Sequence, residues 1–216
     1  MNQLLGLGVS FGFVFGLVGF AAFLLMGRVI SSSVARKIIH IGVGHWWFLA
    51  EYYFVDISYA LIGPGVFILL NWAVGAFHLV PAMENKESNW GTVYYPISLL
   101  LLVIGVWGLG MPSWIGAMAV MILAWGDGLA AVVGKLIYPT STTKTGAGFV
   151  SMAAISLGFL VVFTVGAGLF DWSLPFLTGL VGLALGAALV EYFTPWGLDN
   201  LTIPLFVSLG TWYFLV

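Results

Sequence analysis

The chain has 216 residues, 62% of them hydrophobic and 6% charged, with a mean hydropathy of +1.12. Soluble domains carry about 25% charged residues, so this composition excludes a soluble globular protein and leaves an integral membrane protein. A bilayer helix needs about 20 apolar residues, so the length predicts an all-α polytopic bundle of seven or eight transmembrane helices. It would be one domain over 1–216 with short loops and no separate soluble unit. The absence of cysteine excludes disulfides, thiolate ligands and a Cys nucleophile. With six basic and eight acidic residues no nucleic-acid partner is expected, and the positions of the few charges matter more than their net value of −2.

The first apolar run, Leu4 to Met26, has no basic segment before it and exceeds the ~7–15 residues of a signal-peptide core, so it reads as a retained span. Gly8, Gly12 and Gly16 repeat every four residues along it and suit close helix packing. Gly8-x-Ser10-x-Gly12 imitates a nucleophile elbow, but that motif needs a strand-turn-helix and a His–acid pair. After a polar turn, Arg36-Lys37-Ile38-Ile39-His40 opens a second span running to about Phe54. Lys37, His40 and Gly44 share one helical face with Arg36 beside them. Interfacial snorkelling explains the cations but not His40, a turn deeper. His45 and His78 lack such company and read as structural.

A third span runs from about Ile57 to Val80, with a kink expected at Gly63-Pro64-Gly65. The loop from Pro81 to Asn89 holds Glu84, Lys86 and Glu87. Gly91-Thr92-Val93-Tyr94-Tyr95-Pro96 opens a fourth span ending near Gly110, where Thr and Tyr read as interface residues. The fifth, about Trp114 to Ile137, contains Gly126-Asp127-Gly128-Leu129-Ala130-Ala131. An isolated carboxylate in hydrocarbon costs roughly 2.5–3.5 kcal/mol on insertion scales, so Asp127 should have a partner and a task. On a helix, Asp127, Ala130, Ala131 and Gly134 share one face on which all but the carboxylate is small; either a helix backbone or a ligand can approach it. Further spans follow at Phe149–Phe170, Leu174–Phe193 with Glu191 near its end, and a marginal Leu201–Val216.

Eight spans place Arg28, Arg36, Lys37, Lys86, Lys135 and Lys144, all six basic residues, in or beside odd-numbered loops. The positive-inside rule then puts those loops in the cytoplasm and both termini outside. The same face collects His40, Thr92, Asp127, Glu191, Asp199 and Asn200. Carboxylates suit Mg²⁺, while Lys, Arg and Gly-rich turns suit phosphate, so the residues point to a phosphate or nucleotide site at the cytoplasmic membrane edge. No Walker A loop supports this, since Gly134-Lys135 is followed by Leu136.

Four blocks carry a resemblance. They are Arg36-Lys37-x-x-His40-x-x-x-Gly44; Gly91-Thr92-x-x-Tyr95-Pro96; Gly126-Asp127-x-x-Ala130-x-x-x-Gly134 followed by Lys144-Thr145-x-x-Gly148; and Glu191 with Gly197-x-Asp199-Asn200-x-x-x-Pro204. In this order, over about residues 35 to 205, they resemble the polyprenol kinase family, which includes dolichol kinase, phytol kinase and the CTP-dependent diacylglycerol kinases. Thr143, Ala147 and Tyr138 depart from the dolichol kinase version, and Ala147 is more like the phytol kinases.

The resemblance implies transfer of the γ-phosphoryl of CTP, or another nucleoside triphosphate, to the hydroxyl of an isoprenoid or similar lipid alcohol, with Mg²⁺ as cofactor. It implies Asp127 as metal ligand or base, Lys144 as phosphate clamp, and Arg36, Lys37 and His40 as further charge neutralisers. Glu191 and Asp199 are then the remaining metal ligands and Asn200 a polar positioner. Thr92, Gly126, Gly134, Thr145 and Gly148 fall in the nucleotide-binding blocks. Two rival classes differ in a readable way. A CDP-alcohol phosphotransferase would carry Arg where Ala131 stands and later paired Asp residues, and a transporter would place its charges at the midplane of inverted repeats.

Overall fold

A computed structural model describes residues 2–77 and 90–215. His78 and the loop residues Glu84, Lys86 and Glu87 lie outside the described residues. The described chain is helical throughout, without strands. In order it forms α1 (Gln3–Met26), α2 (Ser32–Gly44), α3 (Trp46–Tyr53), α4 (Ile57–Ala76), α5 (Gly91–Val103), α6 (Ser113–Met121), α7 (Gly128–Ile137), α8 (Gly146–Gly166), α9 (Leu174–Phe193) and α10 (Asp199–Leu215). Helices are the form an apolar chain takes where no water can satisfy its backbone. Three helix starts carry side-chain caps: Asn2 accepts from the Leu5 N–H at 3.1 Å, Ser31 from Val34 at 3.3 Å and Thr145 from Gly148 at 3.1 Å.

Six helical stretches among the described residues are long and apolar enough to cross a membrane, fewer than the seven or eight expected. The protein is a multi-pass membrane bundle. Two expected spans fall short for identifiable reasons. The second divides at His45, whose backbone N–H bonds to the Gly42 carbonyl at 3.0 Å while its Nδ1 lies 3.0 Å from the Ile41 carbonyl. That shift from an i−4 to an i−3 partner ends α2 and starts α3, although the apolar run continues. The last, α10, has 17 residues, a length of about 26 Å against ~30 Å of hydrocarbon. At the expected kink, α4 runs through Pro64 as one helix.

The central element is the stretch Ser113–Ile137, in which α6 passes into α7 through a π-helical turn at Ile122–Asp127. Ile115 and every residue from Ala117 to Ala124 are buried, whereas most of α1 faces outward. Close approach depends on two glycines. A Cβ at Gly116 would collide with the Trp47 ring, and one at Gly44 would lie 2.6 Å from the Ala124 Cβ, so α2 and α3 can lie flush against the central helix. At one end Gln3 bonds Asp56 across the α3–α4 link, and at the other the basic and acidic side chains gather.

Candidate active site

Asp127 ends the π turn, a rare helical form that recurs at functional sites because its extra residue re-aims the side chains that follow. Its Oδ2 accepts from Lys37 Nζ at 2.9 Å and lies 3.4 Å from His40 Nε2. The Lys37 ammonium also reaches the Asp127 carbonyl, at 3.4 Å. Lys37 and His40 lie on one face of α2, as their three-residue spacing requires. The carboxylate left in an apolar stretch therefore has a cation and an imidazole as partners.

His40 is fixed on every side. Its Nε2 is 3.3 Å from the Leu123 carbonyl inside the π turn, its ring stacks on Tyr95 with centroids 4.9 Å apart, and Tyr95 Oη donates to the His40 carbonyl at 3.2 Å. Tyr95 belongs to the second sequence block, where sequence alone marks it only as an interface residue. Asn71 is a lone amide in the apolar α4 that no sequence motif marks. Its Nδ2 donates to the Thr92 carbonyl at 2.6 Å and ties α4 to the start of α5 at the level of the site.

A second cluster forms where the loop before α8 meets the end of α9 and the start of α10. Lys144 Nζ donates to Asp199 Oδ2 at 2.7 Å and to the Thr194 carbonyl at 3.2 Å, lies 3.0 Å from Glu191 Oε1, and also bonds the Glu191 carbonyl. Burial alone would lower the Lys144 pKa, but the Asp199 and Glu191 carboxylates outweigh it and hold the ammonium above its ordinary value. Lys144 is therefore not a free loop cation; it neutralises two buried acids. The α9–α10 turn that delivers Asp199 is tight, with Trp196 and Gly197 both at positive φ, 57° and 76°. Asn200 Nδ2 donates to the Gly197 carbonyl at 3.0 Å and closes that turn.

The two clusters meet. Ligand oxygens of Asp127, Glu191 and Asp199 lie within 4.8 Å of one another, the one such acidic group among the described residues. An all-oxygen set of three carboxylates could hold a hard divalent cation. Asn200 Oδ1 is buried without a hydrogen-bond partner among the described residues, an acceptor of the kind a bound cation or ligand hydroxyl satisfies. Arg36, Lys37, His40, Thr92, Asp127, Lys144, Asp199 and Asn200 all line one cavity of about 1810 Å³.

The small residues after Asp127 accommodate a helix. A Cβ at Gly148 would lie 2.9 Å from the Ala130 carbonyl oxygen, and one at Gly134 would lie 2.7 Å from Thr145 Oγ1, so α7 and α8 approach closely through these positions. Ala131, on the same predicted face, is exposed. Gly126 faces Met152 of α8, whose sulfur would be 2.5 Å from an added Cβ. The spacing of the third block thus builds the α7–α8 hairpin that holds Asp127 and Lys144 at one level.

Comparison with known proteins gives two matches. The chain is 32% identical to the phytol kinase of Synechocystis sp. (strain ATCC 27184 / PCC 6803 / Kazusa), over 84% of this chain and 79% of the relative. It is 28% identical to the probable phytol kinase 2, chloroplastic, of Oryza sativa subsp. japonica, over 91% of this chain and 71% of that protein. No family model matches the chain, and no solved structure gives a significant match.

Proposed function

The chain belongs to the polyprenol/phytol kinase family, a lipid alcohol kinase that phosphorylates a hydroxyl, and we propose that it uses CTP as donor and works at the cytoplasmic face of its membrane. The observation that carries the reading is one cavity in which Asp127, Asp199, Arg36, Lys37 and Lys144 at the end of the bundle are continuous with an apolar limb between helices. Such a cavity admits a charged donor from water and an alcohol from lipid.

Lys144, Arg36 and Lys37 bind and orient the triphosphate, each cation offsetting phosphate charge. The alcohol oxygen forms its bond to the γ-phosphorus as the bond from that phosphorus to the bridging oxygen breaks, and the nucleoside diphosphate leaves. The hydroxyl proton passes to the Asp127–His40 pair, whose shared contact at 3.4 Å and whose anchoring by Lys37 and Tyr95 hold both groups in place. Mg²⁺, when bound, would neutralise phosphate oxygens, and Asp127, Glu191 and Asp199 are the side chains that would hold it. Asn200 is the polar positioner beside them, and Thr92 lines the donor side of the cavity.

CTP rests on the resemblance of the third block to the family's nucleotide-binding block. The cytoplasmic placement rests on charge. Arg28, Arg36 and Lys37 fall in or beside the α1–α2 link and Lys135 and Lys144 in or beside the α7–α8 link, loops that the positive-inside rule would assign to the cytoplasm, with both termini then outside. Purified protein given labelled CTP, ATP, GTP and UTP with farnesol, geranylgeraniol, phytol and diacylglycerol tests the reading. The expected products are CDP and a lipid monophosphate. Release of CMP would assign a headgroup transferase instead, and phosphorylation of none of the four lipids would overturn the reading.

A further inference from the structure

The cavity that holds the polar site does not end with it. Beyond Tyr95 it continues as an apolar limb lined by Val14 of α1, Val43 of α2, Phe67 of α4 and Leu99 of α5. Its lipid-side wall is aromatic: Phe67 lies 5.9 Å from Phe11 and 5.7 Å from Phe15, ring centroid to centroid, joining α1 to α4. Trp46, itself buried, closes the limb, and a Cβ at Gly63 would meet its ring at 3.4 Å, ordinary contact distance. From Asn71 at the polar level to Gly63 at the floor, α4 runs eight residues, about 12 Å, less than half the ~30 Å hydrocarbon thickness.

We propose that this limb is the binding groove for the hydrocarbon tail of the acceptor alcohol, and that its Trp46–Gly63 floor fixes how much of the tail the enzyme reads. The proposal rests on the kinase reading above. Continuity chooses the occupant. His40 and Tyr95 lie where the polar and apolar limbs meet, so an alcohol with its hydroxyl at Asp127 runs its chain past the Tyr95 ring toward Trp46. Apart from the Ser10 hydroxyl the limb is lined by apolar side chains below Asn71, which suits a hydrocarbon chain, and the lipid-facing position of the wall disfavours a soluble peptide.

The tail comes from lipid and not from water, so the groove gains little by hydrophobic transfer. What it contributes is packing and orientation of the hydroxyl. Each added isoprene unit should therefore raise kcat/KM by roughly three- to tenfold until the groove is full, and add nothing beyond that length. Tails several times longer than the groove leave it sideways into the bilayer and are read only over their first units.

The test measures kcat/KM of the full chain in vesicles for geraniol, farnesol and geranylgeraniol, which differ by one isoprene unit each. Gly63→Leu, which fills the floor, should move the plateau to a shorter alcohol. Leu99→Ala, which enlarges the wall, should move it to a longer one, and both should leave the KM for nucleotide unchanged. The same length profile in the wild type and both variants would overturn the groove, as would an equal loss on all three alcohols. If Gly63→Leu does not fold, Leu99→Ala decides alone. A wild-type protein that phosphorylates none of the alcohols would remove the kinase reading itself, a result distinct from an unshifted plateau in an active enzyme.

Discussion

Replacing Lys144 should unsettle the bundle as well as the reaction. Its ammonium lies 2.7 Å from Asp199 Oδ2 and 3.0 Å from Glu191 Oε1, and each pair attracts by about 6 kcal/mol at an effective dielectric of about 20. Most of that offsets the desolvation of the three groups, so the pairs add little net stability. Removing the cation alone is another matter, because Glu191 and Asp199 stay buried with nothing to balance them. Breaking a buried pair from one side costs about 3–5 kcal/mol; with Lys144 about one third exposed, about 2 kcal/mol is expected for Lys144→Met, which keeps the chain's bulk. For a protein of this size that lowers the unfolding temperature by about 4–8 °C. The assay is thermal unfolding in detergent, followed by Trp fluorescence, beside phosphoryl transfer. Adding Glu191→Gln to Lys144→Met should recover part of the stability, since Asp199 alone then stays unbalanced, and none of the activity. An unchanged unfolding temperature in Lys144→Met would refute the view that this Lys balances buried acids.

The same cluster predicts a pH dependence. The folded Lys144 pKa stands above the ordinary 10.5, so its contribution is full below that value and is lost as pH rises through the folded pKa. Wild-type unfolding temperature should fall more steeply above about pH 10.5 than that of Lys144→Met, and parallel curves would contradict the pairing. Gly148→Ala places a methyl group 2.9 Å from the Ala130 carbonyl and should cost about 1–3 kcal/mol, read as a lowered unfolding temperature; a neutral result would mean that α7 and α8 need no such approach. Tags at both termini should be accessible only from outside the membrane, and ends reporting opposite sides would show an odd number of crossings, with the short α10 the span at fault and Asp199 displaced from the site.

The helices and the polar residues of the site were legible in the sequence because composition and isolated charge are local signals. Asp127, Lys37 and His40 could be named, since a carboxylate in an apolar run and a His one turn inside a basic helix start are both costly without a task. Their pairing was not legible, because it joins residues 90 positions apart through a packing of α2 on the central helix. The π turn that aims Asp127 has no sequence signature. The break at His45 is hidden because Trp46 and Trp47 continue the apolar run and only a hydrogen-bond slip separates α2 from α3. Lys144 looked like a loop cation since its neighbours are polar, and its burial comes from α9 and α10. Tyr95 and Asn71 are not legible for the opposite reason, as residue types common near a membrane interface whose partners lie on other helices.

The central claim is that Asp127 lies at the reacting hydroxyl, and Asp127→Asn tests it most directly, since the change removes the charge and hardly any volume. Turnover of a lipid alcohol at saturating Mg²⁺ and nucleotide should fall by at least about 10²-fold, the low end for a positioned acid–base group, in a protein whose unfolding temperature shows it still folded. Wild-type turnover in that variant would contradict the account.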